Sequence, residues 1–119
     1  MNDEQATIAH IKELVNTFTK ERDWDQFYDA KSICMNISVE ANELMELFTW
    51  AKPSDIGHIL QNKREAIEYE LADIFYSLLL FCNKYHIDLS SSIHKKMVHN
   101  AQKYPVHKAR SMNKKYNEL

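Results

Sequence analysis

KREAIEYELADIFYSLLLFCNKY (63–85) decides the architecture of this chain. Ile67, Ile74, Leu78 and Phe81 recur at helical intervals, Phe75, Leu79 and Leu80 widen the apolar face, and no Gly or Pro interrupts the run. At 1.5 Å per residue such a helix reaches about 35 Å, long for a chain of 119 residues. The fold must therefore be arranged around it. Glu70 stands on the same line as Ile67 and Ile74, where the period asks for an apolar residue. An ionised carboxyl in that slot is costly unless it is paired, hydrogen-bonded or bound to a metal.

The preceding helix, expected over 31–50, repeats the anomaly. Its stripe runs Ile33, Ile37, Glu40, Leu44, Leu47, again with a carboxylate in a core-facing place. Glu40/Glu43 and Glu70/Asp73 thus form two acidic pairs at a three-residue offset, which brings the two Cβ atoms of each pair to about 5–6 Å. If the two helices pack antiparallel, four carboxylates converge. A hard cation of the Mg²⁺ kind, one or more, resolves the repulsion, because it takes oxygen ligands and is commonly shared between carboxylates and substrate phosphates. No His falls at HxxxH or ExxH spacing, which argues against zinc hydrolases and di-iron bundles.

Working outward, Ile8, Ile11, Val15 and Phe18 predict a first helix over 5–22. Residues 23–30, with Trp24, Phe27 and Tyr28 among three Asp, break the period and read as an aromatic loop. Pro53 ends the second helix, and Ser54 or Asp55 can cap a short helical piece before Asn62. Asp88 or Ser90 starts a last helix to about Tyr104, with Ile93, Met97, Ala101 and Tyr104 expected to face inward and Pro105 to stop it. Beside that stripe Lys96, Asn100 and Lys103 share one face. Residues 105–119 read as a polar, basic tail without helical period.

With one Gly and two Pro, 45% hydrophobic and 27% charged residues, the composition is that of a single all-α domain over 1–119. The wide apolar face of the third long helix predicts an obligate homo-oligomer. Net charge is only −2, yet residues 94–119 hold seven Lys/Arg against one acid, Glu118. No secretory leader opens the sequence and the longest apolar stretch, 74–82, is far short of the roughly 20 residues of a membrane span, so a cytoplasmic protein with no membrane partner is expected. Cys34 and Cys82 lie apart in apolar runs and read as buried, reduced thiols.

Cations at Lys31, Lys96 and Lys103 suit phosphate oxygens, and Trp24 or Trp50 offers a flat face for a nucleobase. Together with the acidic pairs they describe a nucleoside polyphosphate site. The competing reading is a non-catalytic helical oligomeric module that binds an acidic partner or nucleic acid through the basic C-terminal region. Little aromatic interleaving among those cations argues against a nucleic-acid partner.

EANE (40–43) followed by ELAD (70–73) resembles the ExxE and ExxD signature of the all-α MazG-like nucleoside triphosphate pyrophosphohydrolases. RDWDQF (22–27), ELFTWAK (46–52), IDL (87–89), KM (96–97), NAQKYPVHKARS (100–111) and KYNEL (115–119) extend the likeness over nearly the whole chain and resemble the dCTP pyrophosphatase branch. The resemblance implies a four-helix-bundle-type fold completed by oligomerisation, as a dimer of dimers. It implies hydrolysis of a dNTP, dCTP or a modified dCTP, to the monophosphate and pyrophosphate by Mg²⁺-assisted water attack at the α-phosphorus, in nucleotide pool sanitation. Glu40, Glu43, Glu70 and Asp73 would be the metal ligands, with one of them a candidate to activate water. Lys31, Lys96, Asn100, Lys103 and Tyr104 would surround the triphosphate and sugar, and Trp24 and Trp50 would border the base. Two places depart from the branch pattern. Tyr28, counted here with the substrate-binding residues, stands where the branch commonly has His, and Ser77 stands where it tends to have Tyr, with Tyr76 one position earlier.

Overall fold

Residues 1–119 are described by a computed structural model, which contains helices and turns and no strand. Local chemistry sets each helix start. The Thr7 hydroxyl accepts the His10 N–H and opens α1, Ile8–Glu21. After a 3₁₀ turn at Asp25–Phe27, Asp29 and Ser32 form a reciprocal capping box, in which the Asp29 carboxylate accepts the Ser32 N–H at 2.8 Å and the Ser32 hydroxyl accepts the Asp29 N–H at 2.9 Å. That box starts α2, Ala30–Glu46, and the backbone N–H of Ser32 is the main reason the Asp29 carboxyl lies below its usual range. Asp29→Ala is expected to cost about 1 kcal/mol, read as a lowered urea midpoint at unchanged m-value.

A second 3₁₀ turn, Pro53–Asp55, leads into the short α3, Ile56–Asn62, and then into the long α4, Arg64–Tyr85. His86 terminates α4 in the left-handed conformation, φ 55°, with its N–H bonded to the Cys82 carbonyl. Asp23 makes the corresponding turn after α1, φ 52°. The only Gly of the chain, Gly57, lies within α3 and ends no helix, so non-Gly residues hold the left-handed positions, Asp23 and His86 and also Ser111, φ 60°. Asp88 caps α5, Leu89–Lys103, by accepting the Ser91 N–H. A four-residue α6, Val106–Ala109, and a 3₁₀ turn, Tyr116–Glu118, follow.

The chain divides into two compact units, 1–86 and 87–119. In the first, α4 packs most extensively on α2 and also on α1 and α3. Its core is Val15 and Thr19 of α1, Ile33 of α2, and Ile67, Ser77, Leu79, Leu80 and Cys82 of α4. Tyr28, just before α2, reaches Tyr76 late in α4, whereas Glu43, late in α2, meets Glu70 early in α4, so the two helices run antiparallel. In the second unit the Tyr116 ring meets Tyr104 edge to face at 6.2 Å and carries the Lys103 ammonium 4.6 Å from its centroid.

All-α architecture and every long helix agree with the sequence reading, and four details differ. α2 stops at Glu46 rather than near Trp50, because residues 47–50 continue as turns before Pro53. The tail holds helical pieces that carry too few residues for a period to register. Cys34 is exposed, not buried, since neighbouring Ile33 occupies the core slot and Cys34 lies about 100° further round the helix. Ile93, Met97, Ala101 and Tyr104 are likewise exposed; Tyr116 of the tail meets the end of α5 at Lys103 and Tyr104. No helix is long and apolar enough to cross a membrane.

Candidate active site

Antiparallel packing of α2 on α4 sets the two acidic pairs face to face. One carboxylate oxygen from each of Glu40, Glu43 and Glu70 lies within 4.8 Å of the others. Asp73, one turn beyond Glu70, is outside that group and exposed, yet its charge is felt by both Glu40 and Glu70. Loss of water around the carboxyl, followed by the Glu43 and Asp73 charges, raises the Glu40 pKa to about 7. Glu70 is raised by the same first cause and then by its hydrogen bond with Glu43.

Glu40 Oε2 and Glu70 Oε2 are covered from solvent and have no hydrogen-bond partner. Two buried carboxylate oxygens without donors stand in this three-residue group, and the ion pairs Arg22–Glu21, Arg64–Glu68 and Lys84–Asp25 involve none of the four acids. An all-oxygen set with free lone pairs fits a hard divalent ion and suits neither thiol-seeking nor imidazole-seeking metals. The donor chemistry and the orphaned atoms therefore meet the requirement that the sequence raised.

The other expected residues fall into three groups. Trp24 stands in the aromatic loop at 40% exposure, edge-on to Phe18 at 5.7 Å, while Phe18 is edge-on to Tyr76 at 6.0 Å and lies under the Arg22 guanidinium. Tyr28 is half-buried beside Tyr76, and Lys31 is exposed at the start of α2. Trp50, 94% exposed, lines a hollow of about 280 Å³ with Glu46, Leu47, Asp55, His58 and Lys63. Lys96, Asn100, Lys103 and Tyr104 belong to the second unit, where Lys103 and Tyr104 gather on Tyr116.

A model of the MazG-like family matches residues 35–119 of this sequence. The chain belongs to the MazG-like family. Human dCTP pyrophosphatase 1 is 34% identical to this MazG-like chain over 117 residues, 97% of the chain and 69% of the relative, and the mouse protein of the same name is 33% identical over the same span. The crystal structure of a pyrophosphatase from Archaeoglobus fulgidus superposes with a TM-score of 0.79 at 27% identity, over 88% of the chain and 98% of that structure. The likeness to the dCTP pyrophosphatase branch and the all-α fold that it implied are both supported. Sequence reading of this MazG-like chain named Phe18 only as the end of the first helix's apolar stripe and did not name Thr19, the residue that follows it on α1.

Proposed function

We propose that this MazG-like protein is a divalent-cation-dependent nucleoside triphosphate pyrophosphohydrolase that converts dCTP, or a modified dCTP, and water to the monophosphate and pyrophosphate. The observation that carries the reading is the converged Glu40, Glu43 and Glu70 group with its two covered, partnerless oxygens. Relatives named dCTP pyrophosphatase 1 supply the reaction and base class.

Glu40, Glu43, Glu70 and Asp73 would hold the ion, which when bound neutralises polyphosphate charge and makes a water more acidic. Glu40, whose covered carboxyl is raised to about 7 in the cation-free protein, is the candidate among the four to take up the proton of the attacking water. Trp24 and Trp50 offer exposed aromatic faces to the base. Lys31 of the first unit has the donor that a phosphate oxygen requires and Tyr28 is proposed for the nucleoside; Lys96, Asn100, Lys103 and Tyr104 of the second unit are proposed for the triphosphate and sugar on the resemblance alone. Mg²⁺ is the ion favoured by an all-carboxylate set that must share a triphosphate. The working compartment on this reading is the cytoplasm.

Assembly into a homo-oligomer, a dimer of dimers, completes the proposal. Its support is the apolar surface left uncovered on α2 and α4, Met35, Val39, Leu71 and Leu78, and on α5, Ile93 and Met97. Purified protein with Mg²⁺ and a panel of dNTPs is expected to release pyrophosphate, fastest from a cytosine nucleotide. Absence of turnover with cytosine, uracil and purine nucleotides alike would remove the reading.

A further inference from the structure

A hollow of about 210 Å³ lies within the first unit, where α1, α4 and the 3₁₀ turn at Asp25 meet. Asn16 and Lys20 line it from α1 at a four-residue offset, and Leu80, Asn83 and Lys84 line it from α4 at offsets of three and four, so each helix gives the hollow one face. Two contacts fix its walls. The Asn83 side-chain amide donates to the Lys12 carbonyl at 2.9 Å and ties α4 to α1, while the buried Thr19 hydroxyl donates to the Val15 carbonyl at 2.9 Å. None of Glu40, Glu43, Glu70 and Asp73 lines the hollow. Lys84 stands eleven residues past Asp73 on α4, about 16 Å along the helix.

Size and lining restrict the occupant. Sites for drug-sized molecules run from about 300 Å³ upward, so this hollow is too small to enclose a nucleotide and has room for an ion that displaces several waters. Leu80 is the one apolar side chain of the lining, which leaves an apolar ligand little to bury against. Charge decides the sign, since Lys20 and Lys84 stand against Asp25 alone. The Lys84 side chain is 25% exposed and that of Asp25 61%, so water screens the acid more than the cation. Their pairing is also loose. Lys84 Nζ donates to the Asp25 carbonyl at 3.2 Å but lies 3.6 Å from the carboxylate, too far for a hydrogen bond. An ammonium carries three N–H groups, and that carbonyl takes one. Lys20 takes no part in the ion pairs Arg22–Glu21, Arg64–Glu68 and Lys84–Asp25.

The geometry points to an oxyanion site in this hollow, in which Lys20 and Lys84 supply the charge and the side-chain amides of Asn16 and Asn83 supply neutral donors to an anion of phosphate size, free or as the phosphoryl end of a larger molecule. The occupant competes with the Asp25 carboxylate for the Lys84 ammonium.

The test titrates inorganic phosphate into the full chain after divalent ions have been removed with a chelator and the chelator dialysed away. Without a cation the acids of α2 and α4 repel the anion and offer it no second site. Binding is followed on the side-chain amide NMR signals of Asn16 and Asn83, against sodium chloride at equal ionic strength. Phosphate is expected to move both signals. Lys20→Met and Lys84→Met are each expected to weaken binding about tenfold, the loss of a hydrogen bond to a charged group. Asp25→Asn is expected to tighten binding because the competing carboxylate is gone, whereas Glu118→Gln, the same change of net charge in the second unit, is expected to leave it as it is. Methyl phosphate separates the two sources: binding equal to that of phosphate assigns the hollow to the phosphoryl end of a larger molecule, and its exclusion assigns it to the free ion. Signals that move no further with phosphate than with chloride overturn the site, as does binding that both lysine variants retain in full. No turnover is read, so the result does not depend on the reaction proposed above.

Discussion

Glu43→Gln is expected to reduce kcat by about three orders of magnitude or more while the cation-free protein melts at the same temperature as wild type or higher. Glu43 is the carboxylate that both Glu40 and Glu70 face, so its loss removes the centre of the oxygen set. The same change relieves repulsion among like charges held within 4.8 Å. Activity and stability thus move in opposite directions, which a merely structural role would not produce. A second arm uses the ion itself. Saturating Mg²⁺ at a hundred times its dissociation constant stabilises wild type by about 2.7 kcal/mol and should leave the variant unmoved. Equal turnover in wild type and variant, or a variant that melts well below wild type without Mg²⁺, would refute the assignment.

Stability of the cation-free protein is expected to fall as pH rises from about 4.5 to 7. Glu40 has its pKa raised from 4.5 to about 7 in the folded chain, and that of Glu70 is raised as well. Between the unfolded and folded values the native state binds more protons than the unfolded state. The slope of unfolding free energy with pH is therefore negative across that window. The stabilising contribution is complete below 4.5 and is lost as pH passes the folded value near 7. Thermal melts at intervals of half a pH unit in a chelator should show the decline, and Glu40→Gln should flatten it. With a divalent ion present the trend reverses, because ligation requires the deprotonated form. A flat profile in wild type without metal would contradict the proton-sharing arrangement of Glu40, Glu43 and Glu70.

Period and composition carried the fold a long way. The absence of Gly and Pro from residues 63–85 and the stripes through Ile33 and Ile67 gave each long helix to within a few residues, and Glu40 and Glu70 announced themselves by standing where Leu or Ile was due. Burial at single positions was less legible, because it depends on the angle at which neighbours cross. Leu78 lies on the expected line and is 37% exposed, whereas Ser77 beside it is buried. α4 packs on both α1 and α2, and its covered face turns toward the space between them. The contact of the Thr19 and Tyr76 hydroxyls at 3.2 Å was hidden for a different reason: it joins residues 57 positions apart, and no local pattern on α1 or α4 marks such a pair.

The acids also give the interface of α2 and α4 a mechanical character. Ile33 and Leu79 draw the two helices together at one level, and Glu40, Glu43 and Glu70 press them apart at another. Without a counter-ion the seam is expected to open locally at the acidic level first. On the proposed metal assignment, entry of a divalent cation would relieve that repulsion, and amide exchange along residues 40–46 and 67–73 is expected to slow when the ion is added.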